Sequence, residues 1–453
     1  MFRWDSNDHT QCNFRRSSRQ SQLMESGLEF HRLHRNARDR AARAKARMSD
    51  NKKRRKTIVF VCTSSNANLF KPVDGSMAIQ NKWFYPSDIA HDLDDIDLPR
   101  EVKVEILACA WEYTRCVIPQ YSNWKRYVAF MRLMTIGVIS EFRGDLVDVI
   151  DGPRVLAYNL DSLLHELFHD TPGHQAMVLE FKSFLLVTSE KTSHRRSNSE
   201  MFRRYVNALV SSPQQWFRMR DCDALARFTI AAGLACNDLL DIWYTDTQYD
   251  ILCEIGATMY DAVAFFKHQS EGETNSTFAY MPEDERISAF QGVRQVLWAL
   301  DVAMADVPGH AIVTNFLRNV GGPILMTMRR YRFVEEGLTI GKTESEDIIN
   351  ETRQNFKLWT RLDAGPATFL DIKHYQMILS RSDDLMFPGL AEWLEADSQH
   401  CTQCVYRKAY GAQRAHCFGG VELCSQCRDE WGQYLRTLPG RTKQAFPDLA
   451  LEI

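Results

Sequence analysis

Four cysteines near the C-terminus, Cys401-x2-Cys404-x19-Cys424-x2-Cys427, have the spacing of a tetrahedral zinc site. Four thiolates leave no coordination position open, so the pattern predicts a structural Zn2+ and not a catalytic one. Gly419-Gly420 would supply the tight turn that aims the second pair inward, and His400, His416 and Cys417 are substitute donors. A nucleic-acid-binding ribbon is the functional alternative, but the local charge is mixed and not strongly basic. His165-Glu166-Leu167-Phe168-His169 reads as the HExxH of a zinc protease. His174 follows at +5 where the extended motif wants +6, and Pro172-Gly173 breaks the chain there, so this is read as a chance match.

A second set of candidates consists of carboxylates set in apolar helices. The stretch 99–117 is apolar nearly all round, which marks a buried helix, yet it carries Glu105 and Glu112 seven residues apart on one face. Glu141 closes another apolar run between Ser140 and Phe142. Burial without a partner pushes a carboxyl far above its ordinary pKa, so three such groups suggest metal binding or general acid–base chemistry. The structural alternative pairs Glu112 with Arg115 and leaves Glu141 at a helix surface.

The third set is polar. Within an expected helix over 221–244, Asn237 and Asp241, with Thr245 beyond, fall at i, i+4 and i+8, on one side. Oxygen ligands in that pattern suit Mg2+, which binds a few carboxylates together with substrate phosphates. Arg329, Arg330, Tyr331 and Arg332 end a later apolar helix, and arginines at that density suit bidentate contact with a diphosphate. On a bland reading, Arg329 and Arg332 pair with Glu335 and Glu336.

Carboxylates from several helices, magnesium among them and arginines facing a diphosphate resemble a class I terpene cyclase. The Asn237 stripe is similar to that group's second metal motif, with Asp241 and Thr245 in place of Ser and Glu, and Arg330-Tyr331 resembles its downstream Arg-Tyr pair. The Asp-rich first motif is missing. A closer resemblance runs through the segments 111–119, 217–228, 272–278, 328–336 and 386–392, which look like the fungal α-ionylideneethane synthases. It covers about residues 83–445 and implies a sesquiterpene synthase acting on farnesyl diphosphate in abscisic acid biosynthesis. It further implies neutral hydrocarbon intermediates that are reprotonated in the site, and a product passed to downstream oxidising enzymes. On that footing Glu105, Glu141 and Glu112 are the proton-transfer candidates, and Asn237, Asp241 and Thr245 hold Mg2+. Arg329, Arg330, Tyr331 and Arg332 bind the diphosphate, and Trp111, Tyr113, Phe228 and Trp243 shape the cavity. Another helical prenyl-diphosphate enzyme is the nearest alternative.

The elements that must position these residues are helices. Gly (22) and Pro (14) make up roughly 8% of 453 residues, too few turn formers for a sandwich or barrel of short strands. Helices are expected near 99–117, 123–150, 161–169, 173–191, 200–210, 221–244, 247–268, 283–306, 310–337, 344–363 and 367–383. The expected architecture is an all-α, class I terpene-synthase-like helical bundle over 83–397, with a small four-cysteine zinc-binding module and tail over 398–453. Residues 1–82 form a basic arm, expected to be disordered. Its first 56 residues hold 16 Lys and Arg against 6 Asp and Glu, while the rest of the chain holds 39 against 52. No run reaches the ~20 apolar residues of a membrane span, and scattered cysteines suit a reducing compartment. A cytoplasmic protein with no nucleic-acid partner is expected.

Overall fold

Pro99 follows an acidic stretch and opens the first long helix, α1 (Arg100–Val117), from the position where its missing N–H costs nothing. The computed structural model describes residues 84–270, 272–282, 284–324, 370–396, 401–406 and 418–453. The next helix is α2 (Trp124–Ser140), capped by the Asn123 side chain on the Arg126 N–H. A two-stranded hairpin, Arg154–Val155 with Tyr158–Asn159, leads into α3 (Leu160–Phe168), α4 (His174–Thr192) and α5 (Glu200–Ala208). Then come α6 (Pro213–Ala224), α7 (Ala226–Cys236), α8 (Asp246–Val263) and the short α9 (Phe265–Ser270). They are followed by α10 (Glu285–Ala303) and α11 (His310–Val320). Three short helices, α12 (Ile372–Leu379), α13 (Ser382–Leu385) and α14 (Leu390–Glu395), precede the C-terminal pair α15 (Ser425–Arg436) and α16 (Leu438–Ala445). The fold is therefore all-α, as the scarcity of turn formers implies.

Helix α7 is the axis of the bundle. Every residue from Ala226 to Cys236 is buried, and α2, α3, α4, α6, α8 and α11 all pack around it. Its sequence explains this, since Phe228, Ile230, Leu234 and the alanines leave no polar face except at the ends. Pro72–Ile453 divides off as one compact unit, so the Cys-bearing segment belongs inside it. Arg441 of α16 donates to both oxygens of the buried Glu254 on α8 at 2.7 Å, which fixes the tail to the bundle.

Two expected helices end early. Helix α2 stops at Ser140 instead of running to 150. Gly144 approaches α4 so closely that a Cβ there would lie 2.2 Å from the Ser189 carbonyl oxygen, so the chain must turn. The single helix expected over 221–244 is two helices and a loop. Leu225 takes left-handed φ 52 and ψ 36 between α6 and α7. At the other end, Asp238 adopts φ 54, its N–H bonds the Ala235 carbonyl, and the Leu239 N–H bonds the Leu234 carbonyl. That pair of bonds is a Schellman stop.

Candidate active site

An open cavity lies between α2, α4, α8 and α11 at the Leu225 end of α7. One side is apolar, built from Met134 and Val138 of α2, Phe184 of α4, Phe316 and Val320 of α11, and Leu225 itself. Small residues keep it open. A Cβ on Gly137 would come within 3.3 Å of the Phe184 ring, and Gly256 and Ala257 of α8 also face the space. Holding Leu225 in the left-handed region costs on the order of 1–3 kcal/mol, and strain of that kind gathers at working sites.

The opposite side is charged. Lys191, Arg220, Asp223, His268, Glu273 and Asn275 all border the cavity, joined by Glu141 just past the end of α2. Lys191 is 2% exposed and bonds Asp223 at 2.8 Å. Asp223 also takes Arg220 at 2.8 Å, so one carboxylate bridges two buried cations. Arg220 bonds Asp261 in turn at 2.7 Å, and Asp261 accepts the backbone N–H and the hydroxyl of Thr277, each at 2.7 Å. Burial opposes the charge on Arg220, but Asp261 and Asp223 outweigh it and hold the guanidinium ionised. Behind this layer Arg227 bonds Asp221 at 2.5 Å and Asp250 at 2.6 Å. Arg218 pairs with Glu180, whose carboxyl burial pushes up against the pull of both arginines. Breaking one buried pair of this kind strands a charge, at about 3–5 kcal/mol.

The four cysteines meet as their spacing requires. The thiol sulfurs of Cys401, Cys404, Cys424 and Cys427 lie within 4.8 Å of one another and could hold a metal ion. The Cys424 N–H donates to the Cys404 sulfur at 3.3 Å, and a pair of backbone bonds between Val405 and Glu422 ties the two halves together. Backbone donors, that of Gln403 foremost, lower the Cys401 thiol to about 7, and burial raises those of Cys404 and Cys427. Among the described residues no other group brings three thiol, imidazole or carboxylate atoms so close.

A family model described as alpha-ionylideneethane synthase aba3 matches residues 81–448. The chain belongs to the α-ionylideneethane synthase family. It is 60% identical over 371 residues to "Alpha-ionylideneethane synthase aba3" of Botryotinia fuckeliana, covering 82% of this chain and 84% of that one. It is 59% identical over 382 residues to "Alpha-ionylideneethane synthase abl3" of Leptosphaeria maculans, covering 83% and 89%. The corresponding Pyricularia oryzae protein is 51% identical over 435 residues, covering 82% and 84%. The family resemblance read from the sequence is thereby established.

Within this member of the α-ionylideneethane synthase family, the expected site residues fall into three groups. Glu141 borders the cavity, as does Tyr113 of α1. Glu105 is fully buried and Glu112 half-buried on α1, and neither is among the cavity-lining residues. Trp111, Phe228 and Trp243 stand off it too. Phe228 packs instead with Phe130, Phe168 and Phe181 in the core. Arg329, Arg330, Tyr331 and Arg332 lie outside the described residues.

The magnesium stripe needs correction. Asn237, Asp241 and Thr245 do not share a helix face, because α7 ends at Cys236 and α8 begins only at Asp246. Asn237 donates to the carbonyls of Gln120 at 2.8 Å and Gly233 at 2.9 Å. Asp241 is exposed, and Thr245 forms a capping box with Gln248 at the start of α8. The 11 residues of α7 put this group roughly 16 Å from the Leu225 end and from the cavity. The HExxH residues sit at a surface, where Glu166 pairs with Lys125 at 2.6 Å and His169 with Asp170 at 2.8 Å.

Lys191, Arg220 and Asp223 are the site residues that sequence reasoning missed. The Arg-x-x-Asp spacing before a buried helix was the signal available, since Lys191 lies in the polar last turn of α4 and looks like an ordinary helix-end lysine. Among the described residues, three of the family-like segments contribute cavity-lining residues: 111–119 through Tyr113, 217–228 through Arg220 and Asp223, and 272–278 through Glu273 and Asn275.

Proposed function

We propose that this chain is a sesquiterpene synthase, a carbon–oxygen lyase that converts farnesyl diphosphate to α-ionylideneethane and diphosphate in abscisic acid biosynthesis. The observation carrying this reading is the 60% identity to a protein of that name over most of both chains. The cavity supports it, being apolar at one side, as a C15 chain needs, and lined at the other by charged groups that include Lys191 and Arg220. Heterolysis of the C1–O bond sends the bonding pair off with the diphosphate and leaves an allylic cation. Proton loss gives a neutral polyene, reprotonation drives ring closure, and a second proton loss yields C15H24, so one net proton leaves with the diphosphate.

Lys191 and Arg220 are assigned to the diphosphate. They are dry, fixed cations, worth far more here than in water, and need no reorganisation as charge develops on the leaving group. Arg330 and Tyr331 are assigned to the same group. Asp223 and Glu273 both line the cavity and are assigned to Mg2+, which takes one or two carboxylates together with phosphate oxygens. When bound, Mg2+ would neutralise the departing diphosphate. Glu141, at the border of the two walls, is the proton-transfer group, and Glu105, with Glu112 on the same helix, supports it from inside the bundle.

The four-cysteine site is assigned to Zn2+. Four sulfurs at ~2.3 Å from a tetrahedral ion lie ~3.8 Å apart, within the observed spread. The N–H donated to Cys404 is the kind of outer bond that steadies a thiolate ligand. The deciding experiment is incubation of purified protein with farnesyl diphosphate and Mg2+, followed by gas chromatography and mass spectrometry of the organic layer. α-Ionylideneethane is expected, and a hydrocarbon-free organic layer overturns the reading.

A further inference from the structure

Among the described residues, the four-cysteine segment touches the loop that carries Glu273 and Asn275 on the cavity wall. The Gly419 N–H donates to the Glu273 carbonyl at 3.3 Å. At Gly420 the contact is so close that a Cβ would stand 1.9 Å from the Tyr280 hydroxyl and 2.8 Å from its ring. That hydroxyl cannot step aside cheaply, since Tyr280 is fully buried and donates to the Thr274 carbonyl at 2.6 Å. The ring of Tyr280 lies 4.8 Å from Trp216 and 5.4 Å from Trp431, which are themselves 5.5 Å apart. Trp216 is one turn before Arg220 on α6, and Trp431 is one turn after Cys427 on α15. Arg428, next to Cys427, donates to the Met281 carbonyl at 3.2 Å and closes the far end of the same loop.

A cysteine knuckle without its ion has little to hold it, because structural metal binding in small segments is a large part of their folding energy. We propose that the metal-loaded four-cysteine segment is the positioning device for the Glu273–Asn275 wall of the cavity, with Tyr280 as the positioning residue between them. The ion fixes Gly419-Gly420, the glycines seat Tyr280, and Tyr280 holds Thr274 between the two wall residues. The relevance to catalysis rests on the proposed synthase reading; the mechanical link does not.

The test uses the full-length protein, with zinc content by mass spectrometry and amide hydrogen exchange as readouts that need no substrate. Removing zinc with a chelator, or by Cys427→Ser, should speed exchange across 272–281 while α7 stays protected. Unchanged exchange over that loop overturns the proposal. Should zinc loss unfold the whole chain, Gly420→Ala decides, since it keeps all four thiols. It should bind zinc at wild-type stoichiometry, expose 272–281 to exchange, and lower kcat by about 10–100-fold for a wall shifted by an ångström or less. It should also raise the Mg2+ concentration needed for half-maximal rate, which a merely structural lesion would leave alone. Tyr280→Phe should follow the same pattern more weakly. Wild-type exchange with full zinc content in Gly420→Ala refutes the link. An absence of hydrocarbon from the wild-type protein refutes the synthase reading and leaves the exchange result standing.

Discussion

The two ends of α7 carry similar residues and do different work. At the Leu225 end, the side chains of Lys191, Arg220 and Asp223 are buried, paired and set against a cavity, with the buried Asp261 on Arg220 behind them. At the Cys236 end, Asn237, Asp238, Asp241 and Thr245 are half-buried or exposed, and three of them terminate or start helices. Oxygen donors at regular spacing are thus no guide to metal chemistry until the helix they are assumed to share is known to exist. What separates the two ends is desolvation. A charge held out of water keeps its full field, whereas one at the surface is screened within about 10 Å.

The comparison can be tested by substitution. Glu141→Gln keeps the size of the side chain and removes its proton, and kcat should fall about 10²–10⁴-fold with the circular-dichroism spectrum unchanged. Glu105→Gln should act in the same direction. Wild-type hydrocarbon output from Glu141→Gln would take that residue out of the chemistry. Lys191→Met removes one cation while Arg220 still answers Asp223, so the fold should survive and turnover should drop about 10²–10³-fold. Asp241→Asn, at the opposite end, should change turnover by less than a factor of about two, since surface changes are close to neutral. Equal losses from Lys191→Met and Asp241→Asn would erase the distinction between the ends. Smallest of all in activity, Thr245→Ala should cost about 1 kcal/mol in thermal or urea unfolding through the lost cap, with product formation unchanged.

Much of the fold was legible from the chain. Few glycines and prolines, and apolar stretches such as 102–117 and 226–236, point to buried helices, and α1, α4 and α5 lie within a residue or two of their expected places. The four-cysteine group was legible because a metal knuckle is local and its spacing is its geometry. The cavity end was less so. Glu141 is visible as an acid beside an apolar run, but Lys191 and Arg220 meet only because α4 and α6 pack together, and no period records that. The break within 221–244 is itself partly legible. Thr245-Asp246-Thr247-Gln248 is a capping-box sequence and announces a helix start where a ligand was read. Leu225 could not be anticipated, because leucine is a strong helix former and its left-handed φ is imposed by tertiary packing.

That residue has one more consequence. Burying a leucine side chain is worth about 1.5–3 kcal/mol, and a left-handed backbone costs a residue of this type roughly 1–2 kcal/mol. The two nearly cancel at Leu225, so the joint between α6 and α7 is locally frustrated, its side chain and its backbone preferring different structures. Selection for stability alone would remove such a conflict. Its presence between Arg220 on one helix and the bundle axis on the next marks a place where the shape of the cavity outranks the comfort of the chain.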